Sequence, residues 1–212
     1  MSARVLVTGF RKFGGLGSNP SEEIVLRLAA APPAGVAIET LVLPVEYGAA
    51  FAPVREALDS RRFAAVVHLG VAAGRSSVEV ERVALNWRGA RQPDEAGVLV
   101  EGERIEPRGP AAAESTLPVA ALADAVAASG VPAQVSHHAG TFLCNQVLFQ
   151  TLRHVRRAKL GVRAAFIHVP LPGPEDGRPD LDALTAGVAA ALRAAAEAAG
   201  ARSVRTRRAT RR

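Results

Sequence analysis

The chain has 212 residues, 49% of them hydrophobic and 22% charged, with a formal net charge of +6. That length suits one domain with a real core, and the composition excludes wholesale disorder. No apolar run approaches the roughly 20 residues of a membrane-spanning helix, and the single cysteine excludes an intramolecular disulfide framework, which favours a reducing, cytoplasmic setting.

The opening Met-Ser-Ala-Arg and Val5-Leu6-Val7 are too short for a signal-peptide core and read as a first strand. A glycine-rich loop, Phe10-Arg11-Lys12-Phe13-Gly14-Gly15, follows and closes on Asn19-Pro20-Ser21-Glu22. There Asn19 suits a helix N-cap, Pro20 the first helical turn and Glu22 the capping-box position. Ile24, Leu26, Leu28 and Ala29 belong to the helix so started; residues 36–43 read as a strand and 49–58 as a helix. Residues 63–69 are continuously apolar and end at Gly70, as a strand buried on both faces would. Residues 78–85 alternate apolar and polar and read as one further strand. Residues 86–117, punctuated by Pro93, Gly97, Gly102, Pro107, Gly109 and Pro110, read as a long loop of the kind that is usually functional. Helix is expected over 118–128, strand over 133–136, helix over 142–160, strand over 164–169 and helix over 181–199. Six arginines then fall between 202 and 212 with no acid among them, so the positive excess is a frayed tail and residues 1–201 are neutral overall. Short β-rich runs alternating with alanine-rich helical runs predict one α/β domain over residues 1–201, its sheet covered by helices.

The only thiol, Cys144, falls at the expected start of a helix that follows a strand. A helix N-terminus favours thiolate over thiol, and its free N–H groups can hold the oxyanion of an attacked carbonyl. The competing reading is a small buried hydrophobe. A thiol nucleophile needs a base, and His168 is preferred because it ends a strand, where α/β sheets place their sites. His68 reads as a core histidine, His137 and His138 as loop residues, and His154 as part of a solvated helix face. Glu79, Glu81 or Asp94 could orient the base; Glu79 and Glu81 share one side of a strand, and periodicity does not choose between them. There is no His-Glu-x-x-His and no cysteine pair, so no metal site is expected. Phe10, Phe13 and Phe142 near the thiol suit a flat, uncharged ring, whereas the glycine spacing fits neither a P-loop nor a dinucleotide fingerprint.

Nine blocks stand in order: Thr8-Gly9-Phe10, Phe13-Gly14-Gly15, Asn19-Pro20-Ser21, Gly74-Arg75, Glu81-Arg82-Val83-Ala84-Leu85-Asn86, Gly109-Pro110, Ser115-Thr116-Leu117-Pro118, Ala139-Gly140-Thr141-Phe142-Leu143-Cys144-Asn145 and Phe166-Ile167-His168-Val169-Pro170. Together they resemble the pyroglutamyl peptidase I, or pyrrolidone-carboxylate peptidase, family of cysteine peptidases. The resemblance implies a three-layer α/β/α sandwich with a mixed, mostly parallel central sheet. It also implies an enzyme that removes N-terminal pyroglutamate from peptides through a thioester, with no metal and no cofactor. It aligns Cys144 with the nucleophile, His168 with the base and Glu81 with the third triad member. Phe10, Phe13 and Phe142 align with the ring-binding aromatics, Val71 (by its carbonyl) and Asn19 with the substrate pocket, and Arg91 with an arginine near the oxyanion. Bacterial members imply a homotetramer. This chain departs from the family in having Arg11-Lys12 between the two phenylalanines and Val71 where a glutamine is usual. The rival functions are a cysteine amidase for another small amide and a polyanion binder acting through the arginine tail.

Overall fold

The apolar runs become the inner strands of one sheet. β1 (Arg4–Phe10), β3 (Ala65–Val71) and β8 (Arg163–Val169) are buried almost throughout, as strands covered on both faces must be. β2 (Ala37–Leu43) borders β1 on one side. β4 (Val78–Glu81) and β7 (Ala133–Ser136) complete the sheet on the other, in the order β2-β1-β3-β8-β4-β7. β1, β2, β3 and β8 run parallel, while β4 pairs antiparallel with β8 and parallel with β7. The computed structural model describes residues 3–15, 17–173 and 177–209, with side chains as far as Ala201.

Helices α1 (Pro20–Ala30), α3 (Val119–Ala128) and α5 (Leu181–Ala209) cover one face. Helices α2 (Ala52–Ser60) and α4 (Leu143–Arg157) cover the other. The architecture is the expected mixed, mostly parallel α/β/α sandwich. Strand alternation divides the residues between the two cores. Val67, Leu69, Val78, Val80, Ile167 and Val169 pack toward α1, α3 and α5. Leu6, Val66, Ala164 and Phe166 pack toward α2 and α4. By the same alternation His68, Gly70, Glu79, Glu81 and His168 lie on the α4 face, the side from which Cys144 approaches.

Several elements differ from expectation. The single strand expected over 78–85 breaks at Arg82, whose N–H donates to Ser136 and whose carbonyl accepts from Ser115. Beyond the break β5 (Val83–Leu85) leaves the main sheet and pairs with β6 (Ala112–Glu114), a strand inside the stretch read as loop. Alternation in 78–85 carried no mark of this change of partner. α2 starts at Ala52 because Ala49 and Ala50 turn back onto the Glu46 carbonyl. Asn19 caps α1 as expected, accepting from Ser21 N–H, but Glu22 accepts from Lys12 N–H and closes the glycine-rich loop instead of a capping box. α5 continues to Ala209, past the helix end expected at 199. The side chains of the arginine tail lie outside the described residues.

Candidate active site

Cys144 is the second residue of α4, whose N-cap Phe142 is extended and offers no side-chain cap. The first intrahelical bond runs from Gln146 N–H to the Phe142 carbonyl, so the N–H groups of the first turn point outward beside the thiol. The preceding loop is tied down by Gly89 N–H donating to Thr141 and by the Thr141 hydroxyl donating to Gly89. Gly70 of β3 lies beneath the sulfur. A Cβ there would sit 2.8 Å from Cys144 Sγ and 2.7 Å from the Phe166 ring, so only glycine leaves room for the thiol.

His168 and Glu81 come together across the antiparallel β4–β8 pair. Glu81 lies opposite Phe166 and diagonal to His168 on the same face. Glu81 Oε1 accepts from His168 Nδ1 at 2.7 Å, which leaves Nε2 for the Cys144 sulfur. Both partners are nearly inaccessible to solvent. Burial pushes the histidine toward its neutral form. The charge and hydrogen bond of Cys144, then the hydrogen bond and charge of Glu81, outweigh it and raise its pKa from 6.5 to about 9. Cys144, His168 and Glu81 are thus one connected unit on three elements.

Five of the other titratable candidates are occupied. His68 is buried between the hydroxyls of Thr8 (2.8 Å) and Thr151 (3.0 Å), and burial lowers its pKa to about 3, so it is a neutral core residue. His154 pairs with Asp59, and His138 accepts from Gly140 N–H. Asp94 accepts from the N–H groups of Tyr47, Ala96 and Val98 and so holds its own loop together. Glu79, the strand neighbour of Glu81, takes Gln134 and Arg75 as partners.

A cavity of about 310 Å³ opens beside the thiol, at the small end of ligand-site sizes. Phe10, Phe13, Phe142, Val71 and Asn19 all line it with Cys144. Phe13 and Phe142 stack with centroids 5.7 Å apart, and Tyr47 meets the edge of Phe142 at 5.5 Å. Asn19 uses its amide on Ser21 and the Arg11 carbonyl, so it shapes the wall as well as capping α1. The side chains of Arg11 and Lys12 are exposed and are not part of this lining. Arg91 is exposed, and its neighbour Gln92 lines the cavity. The larger cavity of about 1090 Å³ lies at the opposite ends of β1, β3 and β8 and contains no thiol.

Two buried side chains at the start of α4 escaped the sequence reading. Asn145 is fully buried; its Oδ1 accepts from Leu85 N–H, and its Nδ2 donates to the carbonyls of Leu85 and Trp87. Gln146 donates to the Tyr47 carbonyl and accepts from Arg88. Both clamp the start of α4 to its surroundings. The available signal was two adjacent amides on an otherwise apolar helix face beside the only thiol.

A family model described as pyroglutamyl peptidase matches residues 3–202. The chain is 44% identical over 167 residues to the pyrrolidone-carboxylate peptidase of Gloeobacter violaceus, covering 79% of this chain and 81% of that one. It is also 44% identical over 167 residues to the pyrrolidone-carboxylate peptidase of Streptomyces coelicolor, covering 79% and 77%. Among solved structures, pyroglutamyl peptidase I of Bacillus amyloliquefaciens superposes with a TM-score of 0.87 at 34% identity, covering 93% of this chain and 98% of that one. The pyrrolidone carboxyl peptidase of Thermococcus litoralis gives 0.85 at 33%, covering 92% and 93%. With a family model matching nearly the whole chain, relatives 44% identical over most of their length and the same fold in solved structures, the chain belongs to the pyroglutamyl peptidase family.

Proposed function

We propose that the protein is a cysteine omega-peptidase that hydrolyses the amide bond after an N-terminal pyroglutamyl residue. The observation that carries this reading is the Cys144–His168–Glu81 unit opening onto a small cavity walled by phenylalanines. The lactam ring is flat and uncharged and has no free amine, so it suits aromatic walls with no carboxylate among them. Cys144 attacks the pyroglutamyl carbonyl, and the first-turn N–H groups of α4 stabilise the oxyanion. Protonated His168 gives its proton to the leaving amine, and the thioester remains. His168 then takes a proton from water, which attacks the thioester and frees pyroglutamate and the thiol. Glu81 holds the imidazole in the tautomer with Nδ1–H and stabilises the imidazolium. This sequence needs neither metal nor organic cofactor.

The test is release of a chromophore from a pyroglutamyl anilide, with the unblocked glutamyl anilide as control. The wild type is expected to cleave only the former, and Cys144→Ala neither. A folded Cys144→Ala protein that still turns over ends the cysteine-peptidase reading, and cleavage of another small amide in preference points to the amidase alternative. The reading also includes a cytoplasmic location, favoured by the lone thiol, and assembly into a homo-oligomer, a tetramer by resemblance. Residues 1–201 then form the catalytic domain and 202–212 an appended basic segment without a part in binding nucleic acid.

A further inference from the structure

Arg75 occupies the turn after β3, with its N–H bonded to the Ala72 carbonyl at 3.0 Å. The residues just before it, Val71 and Ala73, line the substrate cavity. Its Nη1 donates to Glu81 Oε1 at 2.9 Å and also to Glu79 Oε2. Glu79 is held from β7 by Gln134 Nε2 at 3.0 Å. One guanidinium therefore bridges two carboxylates on one strand face, one of which is the partner of His168. Glu81 is wholly buried, and among the described residues its Oε2 has no hydrogen-bond partner, so both of its donors, His168 Nδ1 and Arg75 Nη1, meet at Oε1. The charged and titratable groups around it are Arg75 from the turn, Glu79 on β4, His168 on β8 and, beyond the imidazole, Cys144 on α4. β7 presents the neutral Gln134 and Ser136.

We propose that Arg75 is a positioning residue for the reaction: it keeps Glu81 ionised and aimed at His168 by neutralising the repulsion between Glu81 and Glu79. Two buried carboxylates this close cannot both stay ionised without a shared cation, because each disfavours the charge of the other. Arginine suits the task because it does not give up its proton at any working pH. Without it, a proton enters the Glu79–Glu81 pair at higher pH, and His168 loses the anion that fixes its tautomer. The same side chain ties the cavity-lining turn to the triad, so the ring pocket and the proton-transfer unit share one anchor.

The proposal rests on the Cys144–His168–Glu81 reading and is tested through the pH profile of kcat/KM. In Arg75→Met the acid limb is expected to move up by about one pH unit, an approximately tenfold loss at the acid end that recovers as pH rises. Arg75→Gln, which keeps a donor but no charge, should show the same displaced limb, whereas Arg75→Lys should keep the wild-type limb with a reduced kcat. Adding Glu79→Gln to Arg75→Met should move the limb back, because it removes the like charge. A uniform loss with an unmoved limb in Arg75→Met and Arg75→Gln overturns the proposal and leaves Arg75 a structural residue. The separate control is Glu81→Gln. If that variant retains full activity, the triad reading itself fails; if it is inactive beside an unmoved Arg75 limb, only the role of Arg75 fails.

Discussion

A protonated imidazole buried beside a cysteine is a state that folding has to create, because a solvent-exposed histidine titrates near pH 6.5. His168, raised to about 9, carries its proton at neutral pH, and His68, lowered to about 3, does not. The two therefore act on stability with opposite signs. The contribution from His168 is complete below about pH 6.5 and is lost as pH rises toward 9, since its folded pKa lies above the unfolded one. Neutral His68 costs stability as pH falls from 6.5 toward 3. The Tm advantage of wild type over His168→Asn should accordingly shrink between pH 6 and pH 9.5 in calorimetric scans. kcat/KM should decline above pH 9, where the imidazolium that protonates the leaving amine is depleted. An advantage that grows with pH contradicts this account. For the pocket, Phe13→Ala should raise KM for pyroglutamyl substrates with a milder effect on kcat. The loss is about 1–3 kcal/mol for one partly buried, stacked aromatic contact. Unchanged kcat/KM would make Phe13 a core residue only.

At the level of elements, the catalytic helix is held at its first turn by amides rather than by a cap. Asn145 serves Leu85 as a neighbouring strand would, giving to its carbonyl and taking from its N–H. Asn145→Ala strands those buried groups, so it should destabilise by about 1–3 kcal/mol. It should also lower kcat more than it raises KM, because the thiol is on the preceding residue. Denaturant melts and steady-state kinetics on the same preparation check both halves. A loss of unfolding free energy with unaltered kcat would separate the clamp from the site. Most elements were legible because their signals are local: Asn19-Pro20 opens α1, and continuous apolar runs mark the doubly covered strands β3 and β8. Illegible features depended on distant partners. The chain turns from β4 into β5 because Arg82 bonds to Ser136 and Ser115, and Glu22 goes to Lys12 rather than to its own helix end. Ser136 and Ser115 lie far from Arg82 along the chain, and nothing in the glycine-rich loop marks Lys12 as the partner of Glu22.

Across the whole molecule, the site lies where the carboxyl ends of β1, β3 and β8 meet the start of α4, with β4 bringing in the acid from the antiparallel side. The sequence by itself determined the layered α/β class, the single thiol at a helix start and the preference for His168. The reason is that hydrophobic period, capping chemistry and composition are properties of short stretches. Its motifs further implied Glu81 and the three phenylalanines through likeness to a family. Only the tertiary structure decided between Glu81, Glu79 and Asp94, because alternation puts both glutamates on one face and leaves the choice to the diagonal pairing of β4 against β8. It also revealed Arg75 between the two carboxylates. Which charge meets which depends on register between strands 87 residues apart in sequence, and that register is set by packing of the two cores rather than by any local preference.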